Sequence, residues 1–300
     1  MINIQKTQQF TGHNAAIYAL LPGRRPGTFL SAAGDGWIVE WELDKPDLGK
    51  LLAKVEVQVF SLAYFAATDT LIAGDMNGGV HWLNLSEDRP NQHWSHHQKG
   101  TFGILPLGDY VYTIGGDGVL TRWDALRQRS QDSLRLTNQP LRSIAQHHDT
   151  LAIGSSDHHI YLLDRHSLEI LTKWRAHQNS VFSLAYSADG QRLFSGSRDA
   201  HLKVWLADTG KILSTQPAHL YTINDIILHP SGDYALTASR DRTIKIWDTD
   251  TVQLLKVLDT ARDGGHINSV NCLCWIPLTH SFVSAGDDRT IIRWQIPLPE

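Results

Sequence analysis

Short stretches in which apolar and polar residues alternate run the length of the chain, each cut off by turn-forming residues before a helical spacing can develop. Val181-Phe182-Ser183-Leu184-Ala185-Tyr186 reads as one strand, Ser187-Ala188-Asp189-Gly190 as a turn, and Arg192-Leu193-Phe194-Ser195-Gly196 as the next strand. Asp199-Ala200 then turns the chain into Leu202-Lys203-Val204-Trp205, and after Asp208-Thr209-Gly210 a fourth strand follows, Lys211-Ile212-Leu213-Ser214-Thr215. The next unit repeats the plan, with Pro230-Ser231-Gly232-Asp233 as its first turn. Four antiparallel strands in ~40 residues are the strand count and period of one propeller blade.

The period is marked by a Trp that ends a strand at Trp41, Trp82, Trp123, Trp205, Trp247 and Trp294, with Leu163 in phase, at spacings of 41, 41, 40, 42, 42 and 47 residues. An Asp recurs six residues earlier at Asp35, Asp117, Asp157, Asp199, Asp241 and Asp288, whereas Asp75 is one residue out of frame. His13, His177, His219 and His266 each stand 28 residues before their Trp, and His97 stands 26 before Trp123. Seven units predict an all-β fold, a seven-bladed propeller of four-stranded antiparallel blades, with 1–300 as one domain. The last unit ends shortly after Trp294, so the segment Asn3 to Phe10 is expected to supply its fourth strand and close the ring.

These residues resemble the WD-repeat β-propellers: Gly12-His13, Ala176-His177, Ala218-His219 and Gly265-His266 look like the family's Gly-His element, and Trp123-Asp124 and Trp247-Asp248 like its Trp-Asp ending. The resemblance implies a hydrogen-bonded set in each blade, of Trp, a hydroxyl residue, His and Asp. The matching positions are His13, Ser31, Asp35 and Trp41 in the first unit and His97, Thr113, Asp117 and Trp123 in the third. They are His177, Ser195, Asp199 and Trp205 in the fifth, His219, Thr237, Asp241 and Trp247 in the sixth, and His266, Ser284, Asp288 and Trp294 in the seventh. An indole that fills a gap needs an acceptor for its N–H, and a hydroxyl followed by a neutral His oriented by Asp supplies the relay. The second unit has Val55 near the His position and Leu71 at the hydroxyl; the fourth has Ile153 and Leu163 for hydroxyl and Trp. Both are expected to rely on apolar packing alone and to exchange their amides sooner.

Composition narrows the function. With 27 Lys plus Arg against 31 Asp plus Glu, the net charge of -4 gives no reason to expect nucleic acid or a membrane surface as partner. No apolar run is long enough for a signal segment or a membrane span, so a soluble protein with a cytoplasmic location is the default expectation. Cys272 and Cys274, two apart on a strand, read as small core residues. Adjacent His pairs such as His96-His97, His147-His148 and His158-His159 point to opposite faces and chelate poorly, so no metal site and no cofactor are expected.

The scaffold positions being committed, function is expected in the loops and at the channel rim, on the His and Asp loop face that the resemblance implies for partners. Five residues after the His, at the mouth of the innermost strands, stand Tyr18, Phe60, Phe102, Arg142, Phe182, Asn224 and Asn271. Before the turn Asp stand Arg198, Arg240 and Asp287, and Trp37 lies in the turn after Asp35. Asp225 is expected to project toward the channel. The expected function is a non-catalytic scaffold that binds a protein or peptide segment, with Arg142, Arg198 and Arg240 selecting an acidic or phosphorylated group. The alternatives are a metal-assisted hydrolase with its site in the channel mouth, and an oligomeric scaffold using the outer strands or the Arg24-Arg25 turn.

Overall fold

In a computed structural model, which describes residues 3–86 and 89–296, the second strand of a blade is buried at nearly every position. Thr28–Ala33, Thr70–Asp75 and Ser281–Gly286 are buried without a break, because each has a neighbouring blade against both of its faces. Strands so enclosed read as continuous apolar runs, whereas the outer strands Arg129–Arg135 and Ile170–Arg175 are largely exposed.

Seven four-stranded antiparallel sheets form a closed ring, a seven-bladed β-propeller. Ile17–Pro22, Val59–Phe65, Thr101–Leu107, Leu141–His147, Val181–Tyr186, Ile223–Leu228 and Val270–Ile276 are the innermost strands of blades 1 to 7. The strand Gln5–Phe10 pairs antiparallel with Ile291–Gln295 and completes blade 7, as the strand count requires. Residues 1–2 and 297–300 of the expected domain lie outside the described residues. Among the described residues no helix is long and apolar enough to cross a membrane.

The core is divided among the gaps between blades. Trp41 fills the gap between blades 7 and 1, Trp205 that between 4 and 5, Trp247 that between 5 and 6, and Trp294 that between 6 and 7. In blade 2 the phase read from Trp82 is corrected by one residue. Leu83 pairs with Leu71 as Trp41 pairs with Phe29, and Leu83 packs toward blade 1. A slip of one residue on a strand reverses the face, so Trp82 points into the next gap against Trp123, ring centroids 6.1 Å apart. The Trp82 indole N–H has no hydrogen-bond partner among the described residues.

The insertion before His266 folds into a single helical turn, Thr260–Asp263, capped by the Asp259 side chain. Lys6 reaches it from the closing strand and donates to the Gly264 carbonyl at 2.8 Å.

Candidate functional site

In blade 1 the Trp41 indole donates to Ser31 Oγ at 2.8 Å, Ser31 Oγ lies 2.7 Å from His13 Nε2, and His13 Nδ1 lies 3.0 Å from Asp35. The same chain links Trp123, Thr113, His97 and Asp117 at 2.9, 2.9 and 3.1 Å. It links Trp205, Ser195, His177 and Asp199 at 2.8, 2.8 and 3.0 Å. In blade 6 Trp247, Thr237, His219 and Asp241 are joined at 2.9, 2.7 and 2.8 Å, and in blade 7 Trp294, Ser284, His266 and Asp288 at 2.8 Å throughout. Each hydroxyl accepts from an indole and is fully buried, so none is an accessible nucleophile.

Blades 2 and 4 do not rely on apolar packing alone, contrary to the expectation from their sequence. At the strand position where blade 5 has Lys203, blade 2 has His81 and blade 4 has Tyr161. His81 Nε2 lies 2.8 Å from Asp75 Oδ2, and the Tyr161 hydroxyl donates to Asp157 at 2.5 Å. Each pair ties the end of the second strand or the turn after it to the third strand from within the blade, which removes the basis for expecting earlier amide exchange there.

The channel mouth is built by seven β-bulges. In every innermost strand the register shifts across one residue, and the seven skipped residues are Tyr18, Phe60, Phe102, Arg142, Phe182, Asn224 and Asn271. A bulged residue leaves the ladder and its side chain is re-aimed, here to the rim of the channel. All seven line one opening of about 270 Å³.

Five of them form a continuous ladder around part of the rim. Tyr18 meets Phe60 edge to face at 5.1 Å, and Phe60 stacks on Phe102 at 5.6 Å. The Arg142 guanidinium lies 4.2 Å from the Phe102 ring centre and 5.3 Å from that of Phe182. Burial, and then the charge of Arg198, lower the Arg142 pKa. Among the described residues none of Arg142, Arg198 and Arg240 is paired with a carboxylate, and Arg142 Nε donates only to Ser156 Oγ at 3.1 Å. On the opposite side Asn271 donates to Asp287 at 2.7 Å, and burial followed by the Asp287 charge raises the Tyr18 pKa.

Other residues are placed elsewhere. Trp37 is half-buried against the cluster between blades 7 and 1 and is not among the residues lining the mouth. Asp225, by contrast, lines the channel as expected and also bonds the next blade, its Oδ2 accepting from the Leu273 backbone N–H at 2.8 Å. Burial pushes the Asp225 carboxyl up to about 6. His96, in the loop after the strand Gln92–Ser95, is half-buried, with Nε2 2.9 Å from Thr121 Oγ1 and its ring against Trp123. The Arg24-Arg25 turn is met by Glu40, Glu42 and Asp69.

The sequence reading missed four residues on this face. Leu220, Tyr221 and Ile267 follow the latch His of blades 6 and 7 and are strongly exposed; Met76 is exposed just before Asn77, which takes the turn position that Asp holds in other blades. The signal is an apolar residue where Asn14, Gln98 and Gln178 stand in the corresponding loops.

Residues 168–205, 210–248 and 254–295 match the family model for the WD domain, G-beta repeat. Blades 5 to 7 of the propeller are thus built from WD repeats. Its fold is similar to that of the WD40 β-propeller domain of Doa1, with a TM-score of 0.84 and 18% identity, covering 98% of this chain and 97% of that one. No curated protein matches the sequence. WD40 propellers are in general scaffolds for protein partners. Each matched segment runs from the outer strand of one blade through the inner three strands of the next, and the latches of blades 5 to 7 lie within them.

Proposed function

We propose that this propeller is a non-catalytic interaction module that holds a protein or peptide segment on the face carrying the His and Asp loops. The observation that carries the reading is the bulge ladder, which sets four rings at one opening with an unpaired, half-buried Arg142 between Phe102 and Phe182. A half-buried cation without a carboxylate favours an anion, so the partner offers an acidic or phosphorylated group to Arg142 and Arg198, with Arg240 on the rim. Apolar residues exposed beside it, Leu220, Tyr221 and Ile267, supply area for a partner's backbone and side chains.

Substituting Phe182→Ala together with Arg198→Ala is expected to weaken a captured partner by more than ten-fold. Quantitative pull-down with wild-type and variant chains checks this, and unchanged capture would reject the face. A second contact surface is favoured by Ile170, Leu171, Ile212, Leu213 and Leu254, exposed on the outer strands of the consecutive blades 4 to 6. Partner capture lost in a Leu171→Lys, Leu213→Lys chain but kept in the rim variant would move the site there.

A further inference from the structure

Blade 2 lacks the latch His, since Val55 stands near that position, and at the side of this blade a cleft of about 450 Å³ opens instead. It is lined by residues 54–57 and by Asp75, His81 and His93, and shares no residue with the channel mouth. His81 and His93 face each other on paired strands, with rings stacked 4.4 Å apart. Asp75 Oδ1 accepts the backbone N–H groups of Asn77 at 2.7 Å and Gly79 at 2.9 Å, which aims Oδ2 at His81 Nε2. One carboxylate oxygen and two imidazole nitrogens thus lie within 4.8 Å of one another.

Gly79 makes this convergence possible. A Cβ there would lie 2.2 Å from Asp75 Oδ2 and 2.8 Å from His93 Nε2, in the space the two atoms share.

We propose that Asp75, His81 and His93 form a binding site for a divalent transition ion of the zinc class. Two imidazoles and one carboxylate are the donor set such ions take, at ~2.0–2.2 Å, whereas magnesium and calcium prefer oxygen alone. Three donors leave a fourth position, which the cleft keeps open to water or to a side chain of a bound protein. The backbone bonds to Oδ1 hold the carboxylate in place as an outer-shell support does in metal sites. Ligation through His81 Nε2 displaces the hydrogen bond to Asp75 and leaves the ring proton on Nδ1, so the neutral imidazole serves as ligand. Linear spacing hides the site, because strand pairing alone brings His93 to His81.

Calorimetric titration of the metal-free full-length chain with zinc chloride tests this, with cobalt(II) absorption as a second readout. The expected result is one tight equivalent, with visible cobalt bands of low-coordinate geometry. His93 is exposed, so His93→Ala and His93→Gln should leave the fold intact, weaken that equivalent at least ten-fold and abolish the bands. His148→Ala, outside the cleft, should change neither. Absence of a saturable equivalent, or one that survives both His93 variants, would overturn the site. Partner capture by the channel mouth is measured separately and does not bear on the outcome.

Discussion

Replacing Phe10 by Ala is expected to destabilise the propeller by about 3–5 kcal/mol, the range for removing a large ring from a filled core. Phe10 is fully buried and meets Phe29 edge to face at 5.0 Å and Trp41 at 5.8 Å. It therefore belongs to blade 7 by its strand and to the blade 1 core by its contacts. The strand that carries it is held at several points: Gln8 donates to the Leu43 carbonyl at 2.6 Å and accepts from Arg293 at 2.9 Å. Truncating the ring opens the seam where the two ends of the chain meet, and the freed strand Ile291–Gln295 then presents an unpaired edge. A melting temperature lowered by roughly 10 °C is expected for a chain of this size, with aggregation above the transition. Leu278→Ala, at an exposed turn, serves as the control and should leave stability within about 0.5 kcal/mol. A Phe10→Ala chain that melts within a degree or two of the parent would mean that the seam does not limit stability.

What the sequence made legible follows from what a repeat has to do. A Trp or Leu must fill every gap between blades, so the period survives even where chemistry changes, as at Leu163. The frame of blade 2 was misread because Trp82 and Leu83 are adjacent large apolar residues, and only pairing shows which faces which gap. The rim positions were found by alignment of the units, but their cause, a bulge in each innermost strand, leaves no residue signature: Tyr, Phe, Arg and Asn all occupy it. Asp225, which follows a skipped residue, lines the channel, and only the folded geometry shows that its carboxylate also bonds the neighbouring blade. Asp75 with His81, and Asp157 with Tyr161, were illegible because they restore a lost latch from a different strand. Nothing local in Val80-His81-Trp82 distinguishes a ligand or a tie from a surface residue.

Acidification from pH 7.5 to 5.5 is expected to lower the melting temperature steeply, because three of the latches hold imidazoles that burial keeps neutral. Burial lowers the pKa of His13, His177 and His219, outweighing the neighbouring Asp35, Asp199 and Asp241. In the unfolded chain each titrates near 6.5, so below that pH the unfolded state takes up more protons than the native state and stability falls. Each such group can cost up to about 1.4 kcal/mol per pH unit below 6.5, so three of them cost up to about 4 kcal/mol by pH 5.5. Asp225 works in the opposite sense. Its carboxyl, raised by burial to about 6, adds stability that is fully present below its unfolded value of 3.8 and lost as pH rises through 6. Between pH 7.5 and 5.5 that recovers less than about 1 kcal/mol, so the imidazoles prevail. The carboxylates of Asp199 and Asp241 join the loss only below pH 4: burial alone would raise them, but hydrogen bonds from His177 and His219 and from backbone N–H groups hold them low. Thermal melts of the parent and of Asp225→Asn across pH 4 to 8 separate the contributions. The parent should lose stability monotonically below pH 6.5, and the variant should lose it more steeply between pH 6.5 and 5, since the opposing carboxyl is gone. Constant or rising melting temperature between pH 7.5 and 5.5 would show that the buried imidazoles are not kept neutral by the fold.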